Sequence, residues 1–79
     1  MLVMIGHDNM VQGEAVVAVL QPDSAHAKKL KKGLEEKGML VNATSGHKAR
    51  SLLVLSSGQA VLSALTPEVI QKRVNGAKD

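Results

Sequence analysis

Seventy-nine residues with a formal net charge of +3 leave room for one small domain, read here as residues 1–79. The chain has no cysteine, which excludes disulfide staples and thiolate metal sites. It has no aromatic residue either, which removes the stacking platforms that single-stranded nucleic acid needs. The core must be built from Val, Leu, Ile, Met and Ala. A chain of this length buries only ~60% of the surface its unfolded form exposes. Self-association is therefore expected as a further source of stability, and it would also cover strand edges. No apolar run approaches the ~20 residues of a membrane span. The first residues lack the basic start and long apolar run of a secretion signal, so a cytoplasmic location is expected.

Leu2 to Ile5 is a short apolar run ended by Gly6 and reads as a buried strand. Gly6-His7-Asp8-Asn9 is turn chemistry, Met10-Val11 an extended link, and Gly13 a bulge or turn. Ala15 to Leu20 is a β-branched run and a second strand. Pro22 stops it, and Asp23 or Ser24 can cap a helix from Ala25 to Lys37. Ala27, Leu30 and Leu34 give that helix one narrow apolar stripe. Gly33, a weak helix former in mid-helix, marks a place for close approach, and Gly38 ends the helix. Met39 to Ala43 is the third strand. Ser51 to Leu55 and Gln59 to Ala64, joined at Ser56-Ser57-Gly58, form a hairpin. Thr66-Pro67-Glu68 opens a short helix ending at Asn75-Gly76, with 77–79 frayed. The expected fold is α+β, in the order β-β-α-β-β-β-α. Its small, mostly antiparallel sheet carries one main helix and a short C-terminal one.

Charge is unevenly placed. Ser24 to Arg50 holds seven cations and two carboxylates, a net +5. The remainder holds three cations and five carboxylates, a net −2. Such asymmetry points to an anionic partner. The loop between the third and fourth strands concentrates the chemistry. Thr44, Ser45, Gly46, His47, Lys48 and Arg50 supply hydroxyls, main-chain N–H groups and cations, the donors that hold a phosphate. The alternative for these residues is a polar hairpin loop joining the two strands. Lys28, Lys29, Lys31 and Lys32 are a second candidate for an anion contact, but they spread too widely around their helix to form one tight patch, and a solvated face is the favoured reading. His7, His26 and His47 lack metal-ligand spacing. His7-Asp8 has no nucleophile beside it, so neither an enzyme nor a cofactor is expected.

Three longer segments carry a resemblance: Val19-Leu20-Gln21-Pro22-Asp23-Ser24-Ala25, Gly38-Met39-Leu40-Val41-Asn42-Ala43-Thr44 with Gly46, and Val61-Leu62-Ser63-Ala64-Leu65-Thr66-Pro67-Glu68 with Arg73. With Gly6 and Asn9, the chain resembles the extracellular matrix regulatory protein family of bacilli and their relatives, the RemA-like proteins. The resemblance implies a LytTR-like fold and a closed homo-oligomeric ring. It also implies a regulator of biofilm-matrix and osmoprotection genes that binds double-stranded DNA along the outside of the ring. The family's DNA-contacting arginines fall on Ala15 and on His47-Lys48 here, with Arg50 as a matching basic neighbour. Lys48 and Arg50 are thus expected to hold phosphates, with His47 secondary and Thr44 to Gly46 positioning the backbone. The alternative is a ring-forming scaffold that has dropped DNA, which Glu14 and Ala15 favour.

Overall fold

Neighbouring residues on a strand point to opposite faces, and the adjacent Leu52 and Leu53 define two separate cores. The computed structural model describes residues 1–77. Its strands are β1 (Leu2–Gly6), β2 (Asn9–Gln12), β3 (Val16–Leu20), β4 (Leu40–Asn42), β5 (Ser51–Leu55) and β6 (Ala60–Ser63). Its helices are α1 (Ala25–Glu36) and α2 (Pro67–Ala77), and a 3-10 turn covers Gly13–Ala15. Strands β3-β5-β6-β4 form one sheet in that order, and β1-β2 form a second, two-stranded sheet. The architecture is α+β with two sheets and two helices.

On one face of the larger sheet, Leu52 and Ala60 pack against Ala27 of α1, with Leu20, Leu30, Leu34, Leu40 and Leu62 around them. On the other face, Leu53 and Val61 join Val3 and Ile5 of β1 and Ile70 and Val74 of α2. Buried hydroxyls tie the parts together. Ser63 Oγ, fully buried, donates to the Ile5 carbonyl at 2.6 Å and accepts the Leu65 N–H at 3.0 Å. Ser51 Oγ donates to the Leu65 carbonyl at 2.6 Å. Arg73 Nη1 donates to the Met4 carbonyl at 2.9 Å and so pins α2 to β1.

Three details depart from the sequence reading. The Met10-Val11 link is part of strand β2, because Met10 pairs with Met4 and Val11 with Val3. Ala15 closes the 3-10 turn, so the following strand starts one residue later, at Val16. The third and fourth strands of the sequence reading are not neighbours. Strand β6 lies between them, antiparallel to β5 and parallel to β4. Composition marks strands but not their partners, so the crossover was not legible.

Ser24 is the helix cap, its Oγ accepting the Ala27 N–H at 3.1 Å. At the other end the Gly38 N–H reaches the Glu35 carbonyl and the Met39 N–H the Leu34 carbonyl. That Schellman pattern needs the positive φ of 69° at Gly38, which glycine adopts without penalty. Helix α2 extends to Ala77, and positions 78 and 79, expected to fray, lie outside the described residues. Beyond its own chain neighbours and the backbone of its helix, no atom of the described residues comes within 4 Å of where a Cβ at Gly33 would sit, so no other segment among them approaches it closely.

Two stability predictions follow from these contacts. Ser63→Ala strands the Ile5 carbonyl and the Leu65 N–H and should cost ~1–3 kcal/mol in urea unfolding. Gly33→Ala fills open space on a helix and should add ~0.5–1 kcal/mol in the same assay.

Candidate functional site

The loop from Ala43 to Arg50 passes over the C-terminal end of β6. Its ends are anchored there, Ala43 N–H to the Leu62 carbonyl at 3.0 Å and Arg50 N–H to the Ser63 carbonyl at 2.8 Å. Asn42 organises the entry. Its Oδ1 accepts the Thr44 N–H at 3.0 Å and the Thr44 hydroxyl at 2.6 Å. The side chain of Asn42 thereby substitutes for a backbone turn. Thr44 is buried and its hydroxyl is committed to this bond. That bond shapes the entry to the loop. A tight turn follows, closed by the His47 N–H on the Thr44 carbonyl at 3.0 Å. Ser45 (φ 53°) and Gly46 (φ 85°) occupy its centre, both left-handed as a primed turn requires.

This turn leaves Ser45, Gly46, His47, Lys48 and Arg50 exposed. His47, Lys48 and Arg50 line one open cavity of about 420 Å³ together with His7, Ala64 and Leu65. Lys48 and Arg50 also border a second cavity of about 250 Å³, where Asp23 and Glu68 face them. Neither cation forms a salt bridge among the described residues. Both charges are therefore available to an anion, with Arg50 able to offer a two-pronged contact and Lys48 a point charge.

His7 is the residue that sequence reasoning missed. It sits in the β1–β2 turn, forty positions from His47, and no local pattern connects the two. In the structure the imidazoles stack, with centroids 4.4 Å apart and an interplanar angle of 12°. Asn9 sets this up. Its Nδ2 lies 3.2 Å from the Gly6 carbonyl, 3.1 Å from that of His7 and 3.3 Å from that of Ala43, at the base of the loop. His7 (φ 52°) and Asp8 (φ 65°) both hold left-handed backbone. The turn signal at Gly6-Asn9 was readable, but its target was not.

Ala15 is not brought to this loop. It packs at the start of β3, where its carbonyl accepts the Ser56 N–H at 2.7 Å. That is the opposite end of the sheet, roughly one strand length or ~17 Å away. The neighbouring Glu14 is engaged by the amino group of Met1 at 2.7 Å. That hydrogen-bonded ammonium holds the Glu14 carboxyl below the usual carboxylate range. Among the described residues, no group of three or more His, Asp or Glu side chains could hold a metal ion. No helix among them is long and apolar enough to cross a membrane.

The fold and its crossover loop define a small α+β domain that presents unpaired cations at one end of a sheet. Residues 2–74 match the RemA-like family, described as extracellular matrix regulatory protein A-like, and the chain belongs to that family. It is 43% identical over 72 residues to a protein of Fervidobacterium nodosum, covering 91% of this chain and 77% of that one. It is 47% identical over 75 residues to one of Dictyoglomus thermophilum, covering 95% and 88%. A protein of Halothermothrix orenii is 39% identical over 75 residues, with coverage of 95% and 89%. All three bear the name "Putative regulatory protein". The resemblance read from the sequence therefore holds at the level of the family. The names of the relatives describe regulators rather than enzymes.

Asn42→Ala removes the acceptor for both Thr44 groups. It should lower stability by ~1–2 kcal/mol and speed amide exchange at Thr44 in a hydrogen-exchange experiment.

Proposed function

We propose that this protein is a regulator that binds double-stranded DNA through the phosphate backbone and acts as a ring of identical subunits. By family, its targets would be biofilm-matrix genes, and its fold would be of the LytTR type. The observation that carries the reading is the convergence of His47, Lys48 and Arg50 on one open cavity, with Lys48 and Arg50 in no salt bridge among the described residues. Backbone contacts of this kind give affinity without sequence readout. Sequence preference would then come from DNA shape and bendability.

A ring makes few cations per subunit sufficient. Sites repeated around a circle bind a long polyanion by avidity. Two features support head-to-tail assembly. Strands β3 and β4 end the larger sheet without strand partners on their outer edges. Exposed apolar side chains lie in separate places, Leu2, Met4 and Met10 on the β1-β2 sheet and Val17 on the β3 edge. A heterologous interface joins two such unlike surfaces. The scaffold reading keeps the ring and gives the loop no ligand, and Ala15 beside the engaged Glu14 favours it.

Binding to a labelled duplex of about thirty base pairs, at about 50 and 200 mM salt with oligomer size measured in parallel, separates the two. The regulator should bind at low salt and lose affinity steeply, with each phosphate contact adding ~0.9 to the slope of log affinity against log salt. Lys48→Ala with Arg50→Ala should abolish binding and leave the oligomer unchanged. A large oligomer that ignores DNA at low salt supports the scaffold.

A further inference from the structure

We infer that His7 is an additional anion-contacting residue and that the His7–His47 stack makes the grip of this site on phosphodiester proton-linked. The inference rests on the DNA-binding reading above. The two rings lie nearly parallel with centroids 4.4 Å apart, on the wall of the cavity that Lys48 and Arg50 share. The other lining residues are Ala64 and Leu65, so no carboxylate of the described residues lines that cavity. The nearest acid in sequence is Asp8, next to His7 in the turn. Glu68, at the start of α2, and Asp23 border the adjoining cavity of Lys48 and Arg50.

The chemistry follows from this placement. A neutral imidazole has one N–H donor, and an imidazolium has two and a charge. Two imidazolium rings stacked beside a lysine and an arginine repel one another and their neighbours. A phosphodiester in the cavity offsets that repulsion, because its oxygens accept from the rings and its charge lies among four cations. Binding therefore draws protons onto the pair. Imidazole changes charge between about pH 5 and pH 8, a range in which a phosphodiester does not. The left-handed backbone at His7 and Asp8 is consistent with such a use, since strained turns persist where their surroundings hold them. Asn9 is that support here.

The test measures duplex affinity at about pH 6 and about pH 8 at one ionic strength, for the wild type and four variants. The wild type should bind at least about fivefold tighter at the lower pH, the response of a site that takes up part of one proton or more. His47→Gln should reduce the response to less than about twofold. His7→Phe, which keeps a flat ring against His47 without charge or donor, should lose at least half of it. His26→Gln, on α1 and outside the cavity, should keep it in full. Far-UV circular dichroism and oligomer size confirm that each variant is folded. Equal wild-type affinity at both pH values, with Lys48→Ala and Arg50→Ala together still abolishing binding, overturns the proton-linked grip and leaves the DNA reading standing. A full response in His7→Phe overturns the assignment of His7 as a contact. Failure of any duplex to bind at low salt and either pH overturns both readings.

Discussion

Strand β6 sits between two strands that precede it in the chain, and the arrangement of the site depends on that insertion. Because β4 runs parallel to β6 and β5 antiparallel to it, the chain from Asn42 to Ser51 has to cross the C-terminal end of β6. A hairpin between β4 and β5 would have allowed a tight two-residue turn. The crossover needs a longer connection, and its surplus residues are the polar and cationic ones. The position of Lys48 and Arg50 is thus a consequence of sheet order. The backbone bonds of Ala43 and Arg50 to the last residues of β6 hold the loop to the sheet.

The same end of β6 also receives the smaller sheet. Ser63 donates to the Ile5 carbonyl, and the next residues of β1 turn toward the loop at Gly6 to Asn9. Two left-handed turns, one centred on His7-Asp8 and one on Ser45-Gly46, therefore meet through an imidazole stack. Each is organised by an asparagine, Asn9 in the first and Asn42 in the second. Asn9 Nδ2 lies among the Gly6, His7 and Ala43 carbonyls, and Asn42 Oδ1 accepts from the Thr44 N–H and hydroxyl. Buried hydroxyls and the two asparagine side chains fix the loops, and the exposed cations and imidazoles project beside them.

Much of the fold was legible in the sequence. Both helices carried capping chemistry, at Asp23-Ser24 and Thr66-Pro67, and the runs at Ala15–Leu20 and Ser51–Leu55 read as strands, the first of which begins one residue later in the structure. Strand β2 was not legible, because Met10 and Val11 are too few to show alternation without their β1 partners. Sheet order was hidden for the same reason: pairing is a non-local property. Within the site, His47, Lys48 and Arg50 could be read together because they are close in the chain. His7 could not, because its approach depends on Asn9 and on the packing of the two sheets. Thr44 was read with Ser45 and Gly46 as positioning a phosphate backbone through hydroxyl and N–H groups; that its own N–H and hydroxyl both bond Asn42 was not legible. The close approach expected at Gly33 is absent among the described residues of one chain, since a glycine alone does not say whether the space beside it is filled.

Hydrogen exchange read by mass spectrometry, on the assembled protein with and without a saturating duplex, tests most directly whether the crossover loop is the contact surface. Protection concentrated in the segments Gly6 to Asn9 and Thr44 to Arg50, with the rest of the chain unchanged, is the expected result. Protection centred on the lysines of α1, or no change anywhere in the presence of DNA, would contradict it.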